Sequence, residues 1–172
     1  MSTYRIVLFA LLGALFYVAQ VALAALPNIE LVSILILVTT LTFGLQTLLP
    51  IYIFVLLEGL TYGFGIWWCV YLYVWAILCL AVYALRKVSS WWLWCIVLAF
   101  YGLLFGFFCA LPYLFIGGPG TFLAWWINGF PFDISHCLGN LAAGIVLYKP
   151  LMFLMDNLAV FVKKHERIHR PE

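Results

Sequence analysis

Between Arg5 and Arg86 lie 80 residues with no lysine or arginine and only two acids, Glu30 and Glu58. A further 61 residues, Val88 to Tyr148, carry one formal charge, Asp133. Stretches this long and this poor in charge cannot furnish the surface of a water-soluble domain. Over the whole chain 8% of residues are charged and 68% hydrophobic, against about 25% and 45–50% in soluble globular proteins. The composition excludes a cytosolic enzyme, a nucleic-acid-binding domain and a disordered tail. It places the chain in a lipid bilayer.

A helix needs about 20 apolar residues to cross the hydrocarbon layer. Breaks in the apolar pattern predict an all-α integral membrane protein with six transmembrane helices, at about 6–26, 29–43, 48–64, 66–85, 91–116 and 133–154. Pro27-Asn28 ends the first span, Gly44 the second, Gly63 and Gly65 the third, and Arg86-Lys87 the fourth. Ser89-Ser90 caps the fifth, which Pro112 is expected to kink. A Gly- and Pro-rich loop, 117–131, is expected before the sixth.

The basic residues test the count independently. Arg5 precedes span one, Arg86 and Lys87 follow span four, and Lys149, Lys163, Lys164, Arg167 and Arg170 lie at or after the end of span six. Six spans put all eight on one side, which the positive-inside rule makes cytoplasmic. Both termini are then cytoplasmic, residues 155–172 form a basic tail, and the expected location is the plasma membrane. Arg5, the apolar run and Ala22-Leu23-Ala24 also have the look of a secretory signal. The run is long for one, so the first helix is expected to be retained.

Three acids fall within or beside the spans, away from the basic residues. Glu30 starts span two, where Asn28 serves as a cap and an acid suits the helix dipole. Asp133 stands where an N-cap of span six would be. His136 and Asn140 follow it at i+3 and i+7, on the same helical face. A core histidine bonded to a carbonyl and an asparagine joining two helices are the plain readings of that pair. Glu58 lies about 15 Å into span three. An acid at that depth costs about 2.5–3.5 kcal/mol on insertion scales, and with no basic partner nearby it reads as functional. Trp91, Trp92 and Trp94 read as an interfacial belt. Trp67, Trp68, Trp125 and Trp126 either form the opposite belt or wall a pocket, with Trp125 and Asn128 carried on the 117–131 loop as a lid. Tyr62 lies one turn from Glu58, and Tyr71 and Trp75 share a face of span four. Acids beside aromatic walls suit a flat cationic or electron-poor ligand.

No G-x-x-x-x-G-K-[ST] loop occurs, so the chain cannot hydrolyse a nucleotide alone. The five cysteines form no C-x-x-C pair, and neither a metal nor another cofactor is expected. An intramembrane enzyme using Glu58, Asp133 and His136 is one alternative, but paired Glu-x-x-His runs for a di-iron bundle are absent. A stand-alone carrier or an assembly subunit is another, although no internal repeat of the kind carriers show is visible.

Ala10-x-x-x-Ala14, Leu26-Pro27-Asn28-Ile29-Glu30-Leu31-Val32-Ser33 and Phe43-Gly44 resemble the start of an S component of an energy-coupling factor (ECF) transporter. The expected six spans, cytoplasmic termini and loop before the last span also match that family. The resemblance implies a subunit that binds a vitamin or related micronutrient from outside. It docks on a membrane coupling subunit carrying two ATPases and releases its cargo inside. It implies no catalytic residues of the chain's own. Substrate-binding residues are implied among Glu58, Tyr62, Trp67, Trp68, Trp125, Asn128, Asp133, His136 and Asn140, with Glu30 added from its position. Ala10 and Ala14 occupy the docking motif, where small residues permit close helix approach. Independently, a buried carboxylate ligand wants Arg or Lys, and the acidic half has neither. A cationic or neutral heterocycle fits better: thiamine or its pyrimidine, pyridoxine-like amines or queuine-like bases. A very large ligand such as cobalamin stays open.

Overall fold

The computed structural model describes residues 2–26 and 29–168, with the side chains of Arg167 and Ile168 left out. The expected cap Asn28 and the tail residues Arg170 and Glu172 lie outside the described residues. All regular structure among the described residues is helical: α1 (Thr3–Ala22), α2 (Val32–Phe43), a 3-10 turn (Gly44–Thr47), α3 (Leu48–Tyr62), α4 (Ile66–Leu85) and α5 (Trp91–Ile168). Four helical stretches among them are long and apolar enough to cross a membrane: Thr3–Ala22, Val32–Tyr62, Ile66–Leu85 and Trp91–Glu166. Large apolar side chains cover the exterior, including Leu11, Leu60, Val146 and Phe115. Such a surface is stable in lipid and not in water.

α2 is the axis of the bundle. Residues 32–40 are all buried, and a helix apolar on every side belongs in the interior. It packs against α1, α4 and α5. Ser33 is the second residue of this run, and the Thr40 hydroxyl donates to the Ile36 carbonyl at 2.7 Å. α1 and α3 run parallel: Arg5 donates to Gln46 at 3.0 Å, and Tyr17 and Thr61 share a hydrogen bond of 2.9 Å. α4 returns antiparallel to α3, with Trp68 donating to the Val55 carbonyl and Tyr52 to that of Leu72. One end of the bundle therefore gathers Arg5, Gly44, Arg86 and Lys149, the last lying over the Trp91 ring. The other gathers Gln20, Glu30 and the start of α4.

α5 is two antiparallel arms, 91–117 and 119–168, reversed at Gly118 (φ 76°, ψ −175°). Pro119 opens the second arm, where its missing N–H would be unsatisfied anyway. The expected loop at 117–131 is therefore corrected: the chain is helical from 119 onward, and the last helix begins 14 residues before the anticipated 133. Composition misled because one positive-φ glycine is enough to reverse the chain, leaving the other glycines and prolines free to sit in helix. Glycine adopts this backbone without strain, whereas an L-residue held at positive φ with ψ near 180° pays of order 1–3 kcal/mol. A Cβ on Gly118 would meet nothing within 4 Å. Gly118→Ala should thus lower stability by about 1 kcal/mol through the backbone alone, as measured by thermal unfolding in detergent.

The arms meet in a register that advances one turn at a time: Gly106 with Asp133, Gly102 with His136, Leu98 with Asn140, Cys95 with Gly144, and Trp91 with Lys149. Trp94 turns inward and is buried, so of the expected belt only Trp91 and Trp92, stacked at 4.0 Å, remain at the rim. Beyond Lys149 the second arm continues to α1, where Glu166 accepts from Ser2 and pairs with Arg5 at 2.8 Å.

Candidate functional site

The glycine register of the α5 hairpin decides where the polar face of its second arm points. A Cβ on Gly102 would lie 2.8 Å from the backbone C and O of His136. The two backbones are in contact there, which pushes the imidazole out of the hairpin toward α2. His136 Nε2 meets Glu30 Oε1 at 3.0 Å, with both side chains almost fully buried. Glu30 Oε2 accepts from the Ser33 N–H at 2.8 Å. The acid therefore both caps α2 and anchors a histidine 106 positions away.

This pair lies in the wall of a cavity of about 280 Å³. Gln20, Leu23 and Ala24 close one side, and Tyr71, Trp75 and Phe105 the other. The rings interlock edge to face or tilted: Tyr71 on Trp75 at 5.5 Å, Trp75 on Phe105 at 5.4 Å, and Phe105 on His136 at 4.7 Å. Behind its surface Gln20 Oε1, Trp75 Nε1 and His136 Nδ1 are buried with no hydrogen-bond partner among the described residues. A small aromatic pocket with a few polar groups is the ordinary form of a ligand site. A larger groove of about 870 Å³ opens at the basic end between α1 and the tail, but its wall is mainly aliphatic, including Val7, Leu11 and Leu158.

The other candidates fall into three groups. Asp133 and Asn140 are buried parts of the hairpin contact. Asp133 Oδ1 accepts from the Gly106 N–H at 2.8 Å, and Asn140 Nδ2 donates to the Leu98 carbonyl at 3.2 Å. Asp133 is not the N-cap expected of it, because the helix runs through it. Glu58 and Trp68 are not among the residues that line the cavity. Glu58 is buried, with Oε1 unpartnered among the described residues. Trp67 packs edge-on against Tyr71 at 5.4 Å. Tyr62, Trp125 and Asn128 face outward. Trp125 stacks on Tyr113 at 4.0 Å, at the tip of the hairpin. The anticipated lid is thus a helical arm, and neither Trp125 nor Asn128 lines the cavity.

Gln20 and Phe105 join the site without having been anticipated. Gln20 is the one amide of the first apolar run, and that was a usable signal. Phe105 carried none, being one phenylalanine among fifteen. Among the described residues no three His, Cys, Asp or Glu side chains group as a metal site. Compared with family models, with curated proteins and with solved structures, the chain matches none.

Proposed function

We propose that this chain is the substrate-binding S component of an ECF-type importer, taking a vitamin-like heterocycle from outside the cell. The observation that carries the reading is the Glu30–His136 cavity, set at the end of the bundle away from the basic residues. In this reading the chain crosses the plasma membrane six times with both termini cytoplasmic. The alternating directions of α1 to α4 and of the two α5 arms support six passes. The basic end faces the cytoplasm, so the cavity opens outward, where a scarce nutrient must be captured.

Glu30 and His136 bind the ligand's polar edge, and Tyr71, Trp75 and Phe105 its ring. Glu58, Trp67 and Trp68 are not among the lining residues, while Asp133 and Asn140 hold the hairpin that presents His136. With a carboxylate and no lysine or arginine among the described residues lining the site, a cationic or donor-rich neutral ring is favoured over a carboxylate. ATP hydrolysis belongs to two separate subunits, joined through a membrane coupling subunit.

α1 supplies the docking face. Phe9, Leu12, Gly13 and Phe16 turn into the bundle, whereas Ala10 and Ala14 are exposed together with Leu11 and Leu15. Two alanines one turn apart leave a shallow strip against which another helix can approach closely. Ala10→Leu with Ala14→Leu is expected to reduce co-purification with the coupling subunit at least 10-fold and to leave ligand affinity unchanged. Loss of both together would refute the docking assignment. The reading as a whole is tested by mass spectrometry of the small molecules released from the protein purified without partners. One heterocycle near unit stoichiometry is the expected result. Uptake that proceeds without any ATPase subunit would sink the proposal in favour of a stand-alone carrier.

A further inference from the structure

The groove of about 870 Å³ between α1 and the end of α5 has two walls that change character together. On α1, Ser2, Thr3 and Tyr4 line its start, and Val7, Leu8 and Leu11 line it farther along. Leu158, Phe161 and Val162 form the facing wall, on one face of their helix by spacing. Ser2 donates to Glu166 at 2.6 Å, and the Tyr4 ring lies 5.4 Å from that of His165. The polar start of α1 therefore meets the polar end of the tail. Both walls are polar at one shared end and apolar away from it.

Length and charge narrow what fits. From Thr3 to Leu11 the α1 wall rises about 12 Å, close to half of a hydrocarbon layer of about 30 Å. Val7, Leu11 and Phe161 are exposed, so the groove opens on the outside of the bundle. At the polar end Arg5 pairs with Glu166 at 2.8 Å and offsets that acid. Lys163 and Lys164 are exposed and form no ion pair among the described residues. Lys164 follows Phe161 at i+3, on the edge of the groove face. Asp156 stands about 160° round the helix from Leu158 and so points away. Thr3 adds an exposed hydroxyl. A water-soluble ligand would not cover the aliphatic wall, and a wholly apolar helix would leave the lysines without a counter-charge.

We propose that this groove holds one anionic phospholipid of the leaflet at the basic end. Its acyl chain lies between α1 and the 158–162 face, and its phosphate sits beside Thr3 and Lys164. The lipid then joins the tail to α1 alongside the Arg5–Glu166 pair. This site is separate from the Glu30–His136 cavity and does not depend on what that cavity binds.

The test is native mass spectrometry of the full-length protein, released from micelles that hold equal amounts of dioleoyl phosphatidylglycerol and dioleoyl phosphatidylcholine. One retained lipid per protein is expected, with phosphatidylglycerol favoured about 10-fold. A lysine near a membrane surface is worth about 5-fold in attraction to anionic lipid, so Lys163→Gln with Lys164→Gln should cut the preference to 2-fold or less. Val7 is 51% exposed, and Val7→Trp fills the groove without entering the core. It should lower retention at least 10-fold. If that variant does not fold, Leu11→Trp, at a side chain 64% exposed, serves instead. Val146→Trp, at an exposed position of α5 outside the groove, should change nothing. No retained lipid, equal retention of the two lipids, or a preference that survives loss of both lysines overturns the proposal. So does retention that Val7→Trp and Val146→Trp affect alike, which would place the lipid elsewhere and leave the groove to a protein partner.

Discussion

Replacing Gly102 by alanine is expected to lower folding stability by about 3 kcal/mol and to abolish ligand binding. The added Cβ would lie 2.8 Å from the His136 carbonyl carbon and oxygen and 2.9 Å from Cys137 N. Those are backbone atoms inside a helix, so no side chain can swing aside. The arms must part, and overpacking of this kind costs roughly 1–3 kcal/mol, occasionally more. Parting them also carries His136 away from Glu30, which couples the folding defect to the site. Gly129→Ala is the matched control. It also lies in the second arm, but a Cβ there meets nothing within 4 Å. Alanine at that position should stabilise the helix by up to about 1 kcal/mol. Unfolding in detergent with parallel ligand titration separates the two outcomes. A Gly102→Ala protein of ordinary stability would show that the hairpin is not closed at this register.

Glu30→Gln is expected to weaken ligand binding about 100-fold, or about 2.7 kcal/mol, while the unfolding midpoint moves little. The amide oxygen can still accept from the Ser33 N–H, so the cap on α2 survives. What is lost is the charge beside His136 and the ligand. Hydrogen bonds to a charged group are worth about 1.5–3 kcal/mol, roughly twice neutral ones. Glu58→Gln should cost no more than about 10-fold, because Glu58 is not among the residues that line the cavity. Calorimetric titration of the three proteins with the co-purified ligand checks the order. A larger loss in the Glu58 variant would reassign the anchoring carboxylate.

The sequence alone determined that the chain is helical and apolar enough for a bilayer. That conclusion needs only composition and the length of charge-free runs, which act locally and add along the chain. It also singled out Glu30 and His136, because a polar group in such a background is expensive and therefore conspicuous. Helical periodicity placed Asp133, His136 and Asn140 on one face. It could not say that Asp133 and Asn140 would bond the neighbouring arm while His136 crossed to α2. A one-dimensional pattern gives the direction of a side chain on its own helix, not what lies opposite. The 117–131 segment shows the same limit from the other side. Its glycines, prolines and tryptophans suggested a loop with a lid, yet one residue, Gly118, makes the turn and the rest is helix.

Only the tertiary structure decided which groups share the cavity. Gln20, Trp75, Phe105 and His136 come from α1, α4 and both arms of α5 and have no common sequence signal. They meet because Gly102 lets two backbones touch and because α2, buried on every side, brings Glu30 to the point where the other helices converge. Close packing transmits such a contact rigidly, so the site is a property of the helix register and not of any segment taken by itself.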